Sequence, residues 1–184
     1  MAGPVVAAAV IMGPGRAISG VDDSKKLSPA RRTELSRVIK ARSLAWAVGV
    51  SDHRRIDRKN IHQACFDAMR AAVRALKLTP GLVISDGWPI PGVGYDCRGI
   101  VHGDGRSFSI ACASILAKTH RDHLMVEFDF QFPGYGFSKH KGYGTEEHMA
   151  ALARLGPCPI HRRTFAPVRA VLRSPWVPSV PSRS

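Results

Sequence analysis

The sequence is short of acid. Its 184 residues carry 14 Asp and Glu against 27 Lys and Arg, a net charge of +13 with a pI near 10.4. Such a deficit favours a polyanionic partner, nucleic acid or an anionic membrane surface. Arg dominates the basic set and suits forked contacts to phosphate. A long apolar run is also missing. Pro4 to Met12 is too short to span a bilayer and has no basic leader, which argues against both a membrane helix and a secretory signal. Cysteine is sparse: Cys65, Cys97, Cys112 and Cys158 show no Cys-x-x-Cys spacing. Cys65 and Cys112 fall on apolar helix faces, so they read as small core residues of a reduced, cytoplasmic protein. There is no internal repeat and no composition break, and the length suits one domain over residues 1–173 with a core of its own.

What is present reads as alternating strands and helices. Val5 to Met12 predicts a strand that is apolar on both faces, followed by a Gly-rich connection to Leu27. Ser28-Pro29 marks a helix start, Ser as N-cap and Pro in the first turn, with Leu35, Val38 and Ile39 as its apolar stripe. Leu44 to Val50 is the next strand, and 52–59 reads as a charged loop. Helical spacing returns at Ile61, Ala64, Cys65, Ala68, Ala72 and Leu76, and again at Ile110, Ala113, Ser114, Ala117 and Leu124. Residues 131–144 are too irregular for regular structure. Thr145 caps a helix that Gly156-Pro157 ends, a short helix follows at Ala166 to Arg173, and 174–184, rich in Pro and Ser, is expected to be a disordered tail.

The chemistry concentrates between Leu82 and Asp122. Leu-Val-Ile-Ser-Asp-Gly at 82–87 and Gly-Ile-Val-His-Gly-Asp-Gly at 99–105 are each an apolar run ending in Asp-Gly. Acids at strand ends beside Gly turns sit where an open α/β sheet presents groups to ligands, so Asp86 and Asp104 are expected to face one another at one sheet edge. Paired hard-oxygen donors suit divalent metal and phosphate chemistry. A single Asp-Gly is more often only a turn; two in so basic a chain point to a site.

These residues, with Ser-Ile-x-x-Ala-Ser-Ile-Leu-Ala-Lys-x-x-Arg-Asp up to 122, resemble ribonuclease HII, the bacterial type 2 ribonuclease H. The likeness extends to Ala-Gly-Pro-Val-Val at 2–6, Asp-Ser-Lys-Lys-Leu-Ser at 23–28 and Ile-Asp-x-x-Asn-Ile at 56–61. It continues through Ser-Lys-His-Lys-Gly-Tyr-Gly-Thr at 138–145 and Pro-Ile-His-Arg-Arg-Thr-Phe at 159–165, covering roughly residues 2–172. The resemblance implies an α/β fold, a mixed five-stranded ribonuclease H-like sheet with flanking helices and a helical C-terminal region. It implies a monomeric endonuclease that cuts the RNA strand of RNA–DNA hybrids and nicks duplex DNA 5′ of embedded ribonucleotides, leaving a 3′-hydroxyl. Two Mg²⁺ or Mn²⁺ ions held by four carboxylates would supply the chemistry.

Carried over residue by residue, Asp86 and Asp104 match the third and fourth carboxylates. Tyr143 matches the tyrosine that stacks at the ribonucleotide junction, Lys25 matches a lysine near the cut phosphate, and Asp122 reads as structural or as an outer partner. His161, Arg162 and Arg163 form a basic cluster that grips backbone phosphate, or in part bonds main-chain carbonyls. Ser85, His102 and Gly105 depart from the usual residues at their positions without removing a carboxylate.

The family's strand ending Asp-Glu-Ala-Gly-Arg-Gly belongs just before Ala2-Gly3-Pro4, so the first two carboxylates and the first, central strand are expected to be missing from this chain. An internal Met taken as the start would account for it, with the motif encoded upstream. The alternative is a catalytically dead remnant that binds nucleic acid.

Overall fold

The computed structural model of the protein describes residues 1–173; the expected tail at 174–184 lies outside the described residues. In chain order the elements are β1 (Val5–Ile11), α1 (Pro29–Arg42), β2 (Ala45–Ser51), α2 (His53–Lys59), α3 (Ile61–Arg74), β3 (Val83–Asp86) and β4 (Cys97–Ile100). They continue with α4 (Gly103–Arg106), α5 (Phe108–Gln131), α6 (Phe137–His140), α7 (Glu146–Leu155) and α8 (Ala166–Arg173). They fall into two units, one built from Val5–Ser51 and Ile61–His120, the other from Met1–Pro4, Asp52–Asn60 and the chain from Arg121 onward.

The first unit is the sheet unit. β1 pairs antiparallel with β2, Val5 opposite Ser51 and Ile11 opposite Ala45, and β3 pairs in parallel with β4, Val83 opposite Cys97. Among the described residues these are two separate two-stranded ladders, so β1 and β3 each keep one edge without a strand partner. Period-two alternation sends the two faces of β1 to different cores. Ala8, Val10 and Met12 pack with Leu35 and Ile39 of α1 and Cys112, Ile115 and Leu116 of α5. Ala9 joins Phe66, Met69 and Val73 of α3 with Val83, Ile90 and Val93. A strand so covered must be apolar on both sides, which is why the run at 5–11 carries no charge. α3 lies close enough to β2 that a Cβ on Gly49 would sit 2.0 Å from the Ala68 carbonyl oxygen, so only glycine fits there.

Local signals set the helix ends. The Ser28 hydroxyl accepts from the Arg31 N–H at 3.2 Å, with Pro29 opening α1. Where a charged loop was expected at 52–59, the chain forms α2. The Asp52 carboxylate caps the Arg55 N–H at 2.7 Å and a single apolar residue, Ile56, is fully buried. One buried residue in seven leaves no periodicity to read, so the capping bond and Ile56 carry this helix against the charge pattern.

The second unit is mainly helical. Its core joins Ala2, Met125, Tyr135, Phe137, Ala151 and Ile160, and a second cluster joins Met1, Leu152 and Val168. The first residues are stitched in by main-chain bonds, Ala2 N–H to Gly142 O at 3.1 Å and Gly3 N–H to Ile160 O at 3.0 Å. The irregular stretch expected at 131–144 contains one helical turn, α6, because Phe137 inserts fully into the core and anchors it. Thr145 caps α7 through its hydroxyl (3.3 Å from the His148 N), and Gly156 closes it as expected.

Candidate functional site

In the sheet unit, Asp86 is the last residue of β3, half of the expected arrangement. The other half is corrected: β4 ends at Ile100, so Asp104 stands on the single turn α4 and not at a strand end. Gly-Ile-Val-His-Gly-Asp breaks after Ile100 because His102 takes a left-handed conformation (φ 55°) that turns the chain into α4. Gly103 then donates its N–H to Asp86 Oδ1 at 2.8 Å. A Cβ on Gly103 would lie 3.3 Å from Asp86 Cα and 2.7 Å from Ile110 Cδ1, so glycine is what lets α4 approach β3. The result brings Asp104, one residue on, to the end of β3 by a route the strand pattern did not show.

Asp104 is buried, and its Oδ2 accepts from Lys25 Nζ at 2.9 Å. That bond, with the Gly105 N–H and Asp23 contributing, holds the Asp104 carboxyl below the usual range against the opposing effect of burial. The same bond raises Lys25, whose side chain is otherwise exposed. The structure therefore places Lys25, Asp86 and Asp104 together in one unit. Among the described residues no group of three or more His, Cys, Asp or Glu side chains is arranged to hold a metal ion. Two carboxylates carry −2 against the +4 of two divalent cations, and Lys25 already balances one of them. The donor set of this chain alone does not fit a two-metal centre.

The remaining predicted residues lie in the helical unit. Tyr143 is exposed (55%), at the tip of a turn made by Lys141 and Gly142, which are both left-handed (φ 51° and 77°). The Arg121 guanidinium stands 5.0 Å from its ring centroid. Asp122 is half-buried on α5 in this unit. His161 and Arg162 point inward. Arg162 is buried and donates from Nε to Gly3 O at 3.0 Å and from a terminal nitrogen to Pro4 O at 3.4 Å, which is the main-chain role weighed against phosphate contact. Arg163 is exposed, and its N–H and the Thr164 N–H and hydroxyl all bind the Asp57 carboxylate at 2.8–3.0 Å. Burial pushes Asp57 up, but the Thr164 and Arg163 bonds outweigh it and hold the group low.

Sequence reasoning missed a histidine relay. The Cys158 N–H donates to His161 Nδ1 at 3.0 Å, which leaves the ring proton on His161 Nε2. That nitrogen lies 3.1 Å from His148 Nε2, and His148 Nδ1 lies 2.8 Å from the Tyr143 carbonyl oxygen, an acceptor. Both rings are therefore neutral, protons running in one direction from Cys158 to Tyr143. Burial pushes each down to about 4, mutual repulsion helping at His161. His140 stacks on His148 with centroids 4.3 Å apart and bonds Tyr135 O and the Gly142 N–H. The available signal was three His within 22 residues, at 140, 148 and 161, which basic neighbours disguised as surface charge.

Comparison with known proteins matches this arrangement to one family. The family model for ribonuclease HII covers residues 1–168. A ribonuclease HII from Geobacter sp. strain M21 is 54% identical over 174 residues, 95% of this chain and 76% of that protein. One from Hyphomonas neptunium is 49% identical over 94% of this chain and 90% of its own length. Among solved structures, ribonuclease H2 from Pyrococcus horikoshii superposes with a TM-score of 0.76 over 92% of this chain and 90% of that chain, at 21% identity. The PCNA:RNase HII complex from Archaeoglobus fulgidus gives 0.67 over 83% and 79%. Those two structures share the α/β architecture, strands flanked by helices with a helical C-terminal region, and the family model and sequence relatives show the family: this chain belongs to the ribonuclease HII family.

Proposed function

We propose that the chain serves the hydrolysis of RNA–DNA hybrids and of duplex DNA carrying ribonucleotides, cutting 5′ of the ribonucleotide and leaving a 3′-hydroxyl, as a monomer in the cytoplasm. The observation that carries this reading is the Asp86–Gly103–Asp104 arrangement with Lys25 on its open side. Two acids, one ending β3 and one on α4, joined through the Gly103 N–H, give oxygen donors for a hard cation, Mg²⁺ or Mn²⁺, which would supply charge neutralisation at phosphate and an activated water. Lys25 then serves the substrate phosphate, Tyr143 offers an exposed ring to stack at the ribonucleotide junction, and Arg163 adds charge on the surface. His161 and Arg162 act from within, holding the turn that bears Tyr143 and the strand of main chain at Gly3 and Pro4.

A second reading, binding without cutting, is favoured by two features: Lys25 already satisfies Asp104, and the described donors are too few for two ions. A duplex with one embedded ribonucleotide, incubated with the protein and Mg²⁺ or Mn²⁺, separates the two. A nick 5′ of the ribonucleotide with a 3′-hydroxyl supports hydrolysis. A retarded duplex left whole supports binding alone, and neither retardation nor a nick at low salt would overturn both.

A further inference from the structure

We propose that Trp88 is a stacking platform for a nucleobase turned out of its strand beside Asp86, with Arg98 and Arg106 on the flanking phosphates. This rests on nucleic-acid binding, which both readings of the function share, and adds a contact that neither includes. Trp88 is 73% exposed, against 6% for Ile90 two residues on. A large ring left in water forgoes the stabilisation that burial would bring. Its main chain is nevertheless fixed. The Trp88 N–H donates to Asp86 O at 3.1 Å, and Trp88 O accepts from the buried Ser85 hydroxyl at 2.7 Å. The turn also lies against β4 at Gly99, where a Cβ would meet the Trp88 carbonyl carbon at 2.8 Å. A rigid mount under an uncovered ring is preorganised for a ligand, because little freedom is lost on binding.

The neighbours decide what the ring takes. The Gly87 N–H donates to Ile100 O at 2.8 Å, which sets Trp88 beside Val101, itself 62% exposed. Arg106 donates to Val101 O at 3.5 Å, and Arg98 O lies 3.5 Å from the same Ser85 hydroxyl that holds Trp88. Both arginines are exposed, and neither forms an ion pair among the described residues. Unbalanced cations beside an aromatic face disfavour a second copy of a chain carrying +13, and they disfavour an apolar protein partner. They suit a polyanion that also carries π faces. The acids explain why the contact is made through a base. Asp86 and Asp104 carry −2 against the single charge of Lys25, so they repel a bare phosphate. A base is uncharged, and its attraction to an aromatic ring needs no cation. In a paired duplex each base is covered on both faces by its neighbours. An unpaired base can offer a face, and turning it out is least costly where pairing is already lost.

The test follows tryptophan emission and gel retardation of the whole protein in EDTA, where no metal-dependent cutting intervenes. Three duplexes of one sequence are compared: fully paired, with a single unpaired thymine, and with an abasic residue in place of that thymine. The thymine bulge should quench emission and bind about tenfold more tightly than the paired duplex, and the abasic bulge should do neither. Trp88→Ala should remove both effects with Tm unchanged, since the ring is exposed. Trp88→Phe should lose the quench and keep most of the preference. The salt slope for the bulged duplex should be the same in Trp88→Ala as in the parent, and shallower by roughly 0.9 in Arg98→Ala or Arg106→Ala. Equal affinity for the paired and bulged duplexes, an equal quench by the abasic bulge, or a preference undiminished in Trp88→Ala would overturn the proposal and leave the proposed function standing. So would emission that shifts with protein concentration alone, since a second copy would then cover the ring. Retardation of none of the duplexes at low salt would overturn both.

Discussion

Acid should destabilise this protein first through two neutral rings. His148 and His161 are fully buried, 0% and 1% exposed, and share one N···N hydrogen bond. Each is held near 4 in the folded chain against 6.5 when free. Because the folded value is the lower one, the unfolded chain binds more protons between pH 6.5 and 4, and stability falls as pH falls through that window. Going from 6.5 to about 4, at about 1.4 kcal/mol per tenfold, corresponds to about 3 kcal/mol for the first proton the pair accepts. The second proton meets the first across 3.1 Å, so one proton sets the useful magnitude. Against a domain stability of roughly 5–15 kcal/mol the loss is large.

One other group acts in the same direction: His53, lowered mainly by burial, adds to the decline. Asp104 and Asp57 lie below 3.8 and lose their contributions only at lower pH. Urea unfolding at pH 7, 6, 5 and 4, with ring ¹⁵N shifts read in parallel, checks the assignment. The ¹⁵N spectra should show His148 protonated at Nδ1 and His161 at Nε2 down to about pH 5. Either ring titrating near 6.5 in the folded protein, or stability flat from pH 6.5 to 4, refutes the relay.

Three further outcomes follow from the site. Asp104→Asn should abolish cleavage by any active form while leaving duplex affinity within about twofold, since size is kept and only the charge a hard cation needs is removed; nicking and gel-shift assays measured together decide it. Tyr143→Ala should weaken the preference for a ribonucleotide junction over plain duplex with little change in Tm, because the ring is 55% exposed; competition between the two duplexes reads this out. Duplex binding should fall with salt at a log–log slope near −0.9 for each phosphate neutralised, as a net charge of +13 demands, and a flat titration would contradict it.

Strands and helix caps were legible because each rests on a local rule. Ser28, Thr145 and Gly156 mark their helix ends in a few residues, and the unbroken apolar run at 5–11 announces a strand covered on both faces. Other features depend on distant partners and gave no local sign. α2 exists because Ile56 has a core to enter and because Asp57 finds the Arg163 and Thr164 main chain about a hundred residues later. Asp104 looks like a strand-end acid until the left-handed His102 and the close approach at Gly103 are known. His161 and Arg162 read as surface charge because a neutral buried ring and a guanidinium bonded to carbonyls have the same letters as a phosphate grip.

The chemistry of the chain is divided along the same line as its fold. Lys25, Asp86 and Asp104 belong to the sheet unit, where an open edge and a close glycine turn hold two acids. Tyr143, Arg163 and the three histidines belong to the helical unit, where neutral buried rings fix one exposed turn. Substitutions in the first group change charge at the two acids and Lys25 without touching the relay. Substitutions in the relay change the stability and placement of Tyr143 without touching a carboxylate. His148→Gln illustrates the division: its amide can still donate to the Tyr143 carbonyl and accept from His161, so the turn should survive at pH 7 while the acid limb flattens. Its effect on the rate of cutting should then be small beside its effect on junction preference. Equal losses in both would mean that the two groups work as one site and not as a cutting pair and a reading turn.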